Sequence, residues 1–245
     1  MVYQDLLFKD HPSGWRLRYR RNGGGYEASQ DGERWIPVPS VTQVTALLNK
    51  NLQEWAVRQV VKYLEGELQP GLVLSPEEVE RLLREAGTAH RRAAQGAAGR
   101  GASLHGWAEA YLKGRNPPLP EEEHLRKMCL SLREWWEENG GHPLRSEEAV
   151  FHPQHLYAGR ADLVARFGGR VVVVDLKTSS RVYPEHLLQV GAYALALRAE
   201  GVEVEGGLVL SLGDGLRVEE VPWEEAAEAF LGLLRVHAFL RGLTP

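Results

Sequence analysis

Two runs of β-branched and apolar residues, Arg160 to Phe167 and Arg170 to Leu176, flank Gly168-Gly169. Such runs predict strands, and a glycine pair between them predicts a two-residue turn with positive φ. The stretch therefore reads as a hairpin. Closing it places Phe167 opposite Arg170, and counting back along both strands places Asp162 opposite Asp175 on one sheet face. After Pro184 comes a helical run over 185–198, where Gln189 and Tyr193 lie four residues apart on one face beside Ala192 and Ala196.

The rest of the chain divides by the same signals. Trp15 to Arg21 alternates apolar and basic residues, and Asn22 to Gly25 turns it toward Tyr26 to Ser29 as a second hairpin. Its Arg16, Arg18 and Arg20 share a strand face, which fits a solvated surface and a phosphate-contacting edge equally well. Residues 37–49 open with proline and a Ser40 or Thr42 cap before a helical run. A helix over 52–68 turns Trp55, Val60 and Leu64 toward a core and breaks at Pro70-Gly71. Ser75 to Glu78 forms a capping box with proline at the first helical position, opening a helix expected to run to about Ala98 and end near Gly99. A separate short helix after Gly101 carries His105 and Glu109 four apart.

Asn116 to Pro120 reads as a rigid linker, followed by a helix over 121–139 containing Trp135 and Trp136. Residues 145–151 read as a strand, with Glu147 and Glu148 adjacent and nothing in the sequence to say which points inward. Strands over 202–212 and 216–221 surround the Gly213-Asp214-Gly215 turn, and a closing helix over 223–240 is expected to bury Phe230, Leu234 and Phe239.

Like charges facing each other across a ladder, about 5 Å apart at Cβ, destabilise a sheet. A divalent cation between Asp162 and Asp175 would remove that repulsion, because Mg²⁺ takes hard oxygen ligands. Alternation puts Lys177 on the Asp175 face and leaves the Leu176 carbonyl as a further oxygen ligand. An ordinary ion network, with Arg160 and Lys177 neutralising both acids, is the competing explanation.

The G-x-x-D of Gly159 to Asp162, the D-x-K of Asp175 to Lys177 and the Q-x-x-x-Y of Gln189 to Tyr193 resemble the PD-(D/E)XK nuclease superfamily in its RecB-type exonuclease branch. The wording AVFHP, AGRAD and DLKTS resembles phage exonucleases of that branch and mitochondrial genome maintenance exonuclease. The resemblance implies an α/β fold: a mixed central sheet flanked by helices, with an N-terminal helical region. It implies a metal-dependent deoxyribonuclease, an exonuclease acting on single-stranded or free-ended DNA in recombination, repair or replication. Asp162, Asp175, Lys177, Gln189 and Tyr193 would be catalytic, and His105, Asp162, Asp175 and the Leu176 carbonyl would hold one or two Mg²⁺ or Mn²⁺ ions. Arg91, Arg92, Arg100, Arg160 and Arg181 are the candidate DNA contacts, and Trp107, Tyr111, Tyr157 and Tyr183 are candidates to stack on unpaired bases. The alternatives carried alongside are an endonuclease of the same fold and a non-catalytic DNA-binding subunit.

Composition adds bounds. The chain has 245 residues with 29 Lys and Arg against 33 Asp and Glu, a net charge of -4, so any basic groove must be local. Cys129 is the sole cysteine, which excludes a four-cysteine iron-sulfur cluster. No apolar run approaches the roughly 20 residues of a membrane helix and no leader is evident, so a soluble, cytoplasmic protein is expected, without membrane contact. The expected organisation is an N-terminal hairpin and short helix over 1–50, a helical region over 51–140 that supplies the histidine and covers the DNA cleft, and a nuclease core over 141–245. These would make one compact unit. No protein partner is legible.

Overall fold

The apolar face of an alternating strand needs a layer to cover it, and the described residues meet the need with two sheets and six α-helices. A computed structural model describes residues 6–20, 25–48 and 52–242. They divide into two compact units, one made of Met1–Leu48 with Leu104–Pro245 and the other of Asn49–Ser103.

In the first unit β1 (Leu6–Asp10), β2 (Arg16–Arg20), β3 (Tyr26–Ser29) and β4 (Ile36–Val38) form an antiparallel sheet in chain order. The expected hairpin is β2 with β3; β1 and β4 carry too little pattern to be read from the sequence, and most of the Asn22 to Gly25 turn lies outside the described residues. Ser40 then caps α1 (Val41–Thr45) in a capping box with Gln43, which selects Ser40 over Thr42, and a 3-10 turn follows over Ala46–Leu48.

The second sheet, in the order β5 (His142–His152), β6 (Tyr157–Phe167), β7 (Arg170–Lys177), β8 (Gly206–Ser211), β9 (Arg217–Val221), is mixed: β7 and β8 run parallel and the other neighbours antiparallel. The parallel step is a crossover through α5 (Pro184–Ala199), as a parallel pair requires. α5 is apolar nearly all round and lies buried between one sheet face and α6 (Trp223–Leu240), in a core with Val164, Val173, Val209 and Phe230. The opposite sheet face packs Leu163, Val174 and Leu210 against Leu104, Leu125, Leu132 and Trp136. These come from the end of α3 (Pro76–Leu112) and from α4 (Glu123–Glu138). A third cluster seats the first sheet, through Leu17, Ala28 and Val38, on Ala149, Phe151 and Ala158.

Three expectations change. The helix read as stopping near Gly99 and the short helix after Gly101 are one continuous α3. Glycine in a helix interior costs about 1 kcal/mol and does not break it as proline does. Phe239 is 83% exposed while Phe230 is fully buried. The nine-residue spacing puts these two on opposite sides at 3.6 residues per turn, and the stripe continues instead through half-buried Leu234 to buried His237. Trp55, Val60 and Leu64 of α2 (Leu52–Glu67) are only half-buried.

In the second unit α2 is tied to α3 by a hydrogen bond from the Tyr63 hydroxyl to Glu85, with the Arg92 guanidinium 5.3 Å from the Tyr63 ring centre. Among the described residues no helix is long and apolar enough to cross a membrane.

The close approach of α5 and α6 sets a testable limit. A Cβ on Gly191 of α5 would lie 2.5 Å from the Ala227 backbone nitrogen of α6. Gly191→Ala is expected to destabilise the protein by about 1–3 kcal/mol in urea unfolding. Gly232→Ala, where nothing lies within 4 Å, is expected to leave stability unchanged or raise it by about 0.5–1 kcal/mol.

Candidate metal-binding cleft

The β6–β7 turn has the expected form, with φ of 55° at Gly168 and 93° at Gly169, and Phe167 pairs with Arg170. The ladder follows that register to Leu163 and Val174 and then stops. At the next step Asp162 Oδ2 accepts a hydrogen bond of 2.8 Å from the Leu176 N–H, so a side chain takes the place of the next strand-to-strand bond. Alternation slips here too, since Ala161 and Val164, three apart, share the α5-side core. Asp162 and Asp175 therefore open onto one cleft of about 300 Å³ with Lys177, Gln189 and Tyr193.

Glycine at 159 is required by Tyr193. A Cβ there would sit 2.6 Å from the Tyr193 ring and 3.0 Å from Val41. The tyrosine is thereby held 4% exposed in the cleft wall. Gln189 is fixed by a hydrogen bond of 3.3 Å from its Nε2 to the Thr45 hydroxyl. Ser40, Thr42, Gln43 and Tyr26 complete the wall from the N-terminal sheet side, which gives the Ser40 cap and its neighbours a place the sequence did not reveal.

Cations and acids alternate through the cleft. Asp175 is 1% exposed, and Lys177 Nζ lies 2.6 Å from its Oδ2 as an ion pair. Among the described residues neither carboxylate oxygen has a well-aligned hydrogen bond. Burial pushes the Asp175 carboxyl up to about 6, with Lys177 opposing and Asp162 adding to the rise. For Lys177 burial disfavours the ammonium, but Asp175 and Asp162 outweigh it and raise its pKa. Burial alone would lower His105, yet Asp162 and Glu147 carry it up to about 9. The imidazolium donates from Nδ1 to Glu147 Oε1 at 3.0 Å and from Nε2 to the Leu176 carbonyl at 3.2 Å, with Asp162 Oδ1 3.4 Å from Nδ1.

Glu147 is the residue that sequence reasoning left undecided. It sits between the Ser146–Leu163 and Glu148–Ala161 pairs with φ of 52°, a left-handed conformation rare outside glycine. Glu148 instead reaches Lys9 at 3.2 Å and Arg145 at 3.6 Å. His105, Glu147 and Asp162 each offer a ligand atom, all within 4.8 Å of one another. With the Leu176 carbonyl beside them, this mixed nitrogen and oxygen set fits a divalent ion. Asp175 lies outside that trio and faces the same cleft from β7.

Other expected residues lie elsewhere. Arg160 lines the cleft, its guanidinium 5.4 Å from the Tyr19 ring centre. Arg181 is exposed and outside the cleft lining. Arg91, Arg92 and Arg100 belong to the second unit, where Arg92 donates to the Thr88 hydroxyl and the Glu85 carbonyl. Arg16 and Arg18 are engaged by Asp10 and Glu27, which favours the solvated-face reading of that strand, and the Arg20 side chain lies outside the described residues. Glu109 pairs with Lys113. Trp107 and Tyr157 are buried in the cores and Tyr111 stacks on Trp107, so of the four stacking candidates Tyr183 alone is exposed.

A sequence model of the PD-(D/E)XK nuclease superfamily matches residues 56–230. No curated protein matches the chain. Among solved structures, one described as "Crystal structure of SSO0001" is similar at 16% identity over 56% of this chain and 71% of that one, with a TM-score of 0.27. A likeness that loose adds nothing to the geometry.

Two outcomes test the cleft. Glu147→Gln is expected to weaken Mn²⁺ binding by about tenfold or more in titration calorimetry, whereas Glu148→Gln leaves it unchanged. Asp162 and Glu147 carry His105 from its ordinary 6.5 up to about 9, so with metal chelated by EDTA its contribution to stability is expected to be complete below about pH 6.5 and lost as pH rises through about 9. The stability advantage of the wild type over His105→Gln is therefore expected to shrink across that window in urea titrations.

Proposed function

Because the chain belongs to the PD-(D/E)XK nuclease superfamily, whose members are divalent-metal-dependent nucleases, we propose that it is a RecB-type exonuclease removing nucleotides from single-stranded or free-ended DNA. The observation that carries this reading is Asp162, which groups with His105 and Glu147 within metal-ligand reach and also lines one cleft with the buried Asp175–Lys177 pair. Of the two Asp175 oxygens, Oδ2 has the Lys177 ammonium beside it, and buried Oδ1 has no partner among the described residues, which leaves it available to an ion. Recombination, repair or replication is the setting we assign to it.

His105, Glu147, Asp162 and the Leu176 carbonyl would hold Mg²⁺ or Mn²⁺, with Asp175 available from the facing strand. The chemistry supplied by the bound ion is Lewis acidity toward the phosphate and a lowered pKa for an attacking water. Asp175 keeps Lys177 charged and aimed into the cleft. Lys177, a compact ammonium with three donors, orients the water and stabilises charge developing on the phosphate oxygens. Gln189, steadied by Thr45, and the Tyr193 hydroxyl donate to phosphate without adding charge. Arg160 meets the backbone at the cleft edge.

A histidine among carboxylates favours a softer ion, so cleavage with Mn²⁺ is expected to equal or exceed that with Mg²⁺. Digestion of end-labelled linear and closed circular single strands with each ion tests the whole reading. An end-dependent enzyme degrades the linear strand and leaves the circle intact. Nicking of the circle would make it an endonuclease, and binding without cleavage a DNA-binding subunit. Asp175→Ala and Lys177→Ala are each expected to reduce cleavage by about 10³-fold while DNA binding persists.

A further inference from the structure

Next to the cleft lies a second, open cavity of about 220 Å³. It shares Gly25, Tyr26 and Gln43 with the cleft, so the same residues face both spaces. Its far side is Pro37 and Pro39 around β4, and its end is His237 and Arg241 at the C-terminal end of α6. We propose that this cavity receives the base of the nucleotide next to the scissile phosphate, with Arg241 contacting the strand's backbone. The inference rests on the nuclease reading and deepens it by giving one base of the substrate strand a place of its own.

Four observations support it. The volume equals about seven waters at roughly 30 Å³ each, which is room for a single base. Tyr26 and the two prolines offer flat, apolar walls of the kind that bases stack on without regard to sequence. Arg241 is exposed and has no salt bridge among the described residues, so its charge is available to a phosphate. His237 is 5% exposed, and its Nδ1 has no hydrogen-bond partner among the described residues. A base that remains stacked and paired in a duplex cannot turn into such a side cavity.

The test uses the full chain and a short fluorescent oligothymidylate, read by anisotropy in EDTA so that binding is measured apart from cleavage. An abasic residue is moved one position at a time from the strand end. For the wild type, an abasic residue at one position beside the scissile phosphate is expected to weaken binding by about tenfold, the value of one stacked base. Pro37→Trp, a substitution at an exposed position that crowds the cavity, is expected to lose the same factor on the intact strand and to become insensitive to that abasic position. Arg241→Glu is expected to weaken binding to all strands and to lower the salt dependence by about one phosphate contact. Melting temperatures of both variants check the fold. If the wild type is indifferent to the abasic position, or Pro37→Trp stays as sensitive as the wild type, the base cavity is overturned. The expected binding pattern without any metal-dependent cleavage would instead uphold the cavity and overturn the exonuclease reading.

Discussion

Three carboxylates, Glu147, Asp162 and Asp175, stand close together with one imidazolium between Glu147 and Asp162 and one ammonium against Asp175. Negative charges removed from water repel one another strongly and are tolerated only when cations or hydrogen-bond donors stand between them. The local structure follows from that requirement. The β6–β7 ladder stops short of the acids so that the Leu176 N–H can serve Asp162. The left-handed turn at Glu147 directs a strand side chain toward His105. Gly159 gives up its side chain so that the Tyr193 ring can close the wall.

How much of this was legible depended on the distance over which each relation acts. The hairpin register could be counted because a diglycine turn and strand alternation act within a few residues. Gln189 and Tyr193 could be paired because helical period is equally local. The choice between Glu147 and Glu148 rests on one backbone angle for which the residue type gives no sign. The contact of Thr45 with Gln189 spans 144 residues, and the wall formed by Ser40, Thr42 and Gln43 is equally remote from β7. His105 entered through a resemblance, and its placement beside Glu147 depends on α3 continuing past the glycines that were read as its end.

The aromatics show the converse. Trp107 and Tyr157 look available for stacking because their chemistry suits it, yet both are core residues; Tyr157 donates its hydroxyl to the Ala192 carbonyl at 2.8 Å. Large rings bury so much apolar area that packing claims them first. The N-terminal sheet, by contrast, carries little sequence signal and contributes much. It covers Phe151 and Ala158 and brings Tyr26 to the cleft.

The diglycine bend at 168–169 also serves as a gauge of length. One extra residue inserted there would move every β7 position by one against β6, and in a sheet with two-residue alternation such a step turns inward groups outward. Asp175 would then leave the side that Asp162 occupies, while the apolar runs of both strands could still find a core. The Gly213 to Gly215 bend answers to a different neighbour: the Gly213 N–H donates to the Ser179 carbonyl, and a Cβ on Gly213 would lie 2.6 Å from the Ser180 nitrogen. A change of length at one bend is thus felt by the acids, and at the other by the segment that follows Lys177.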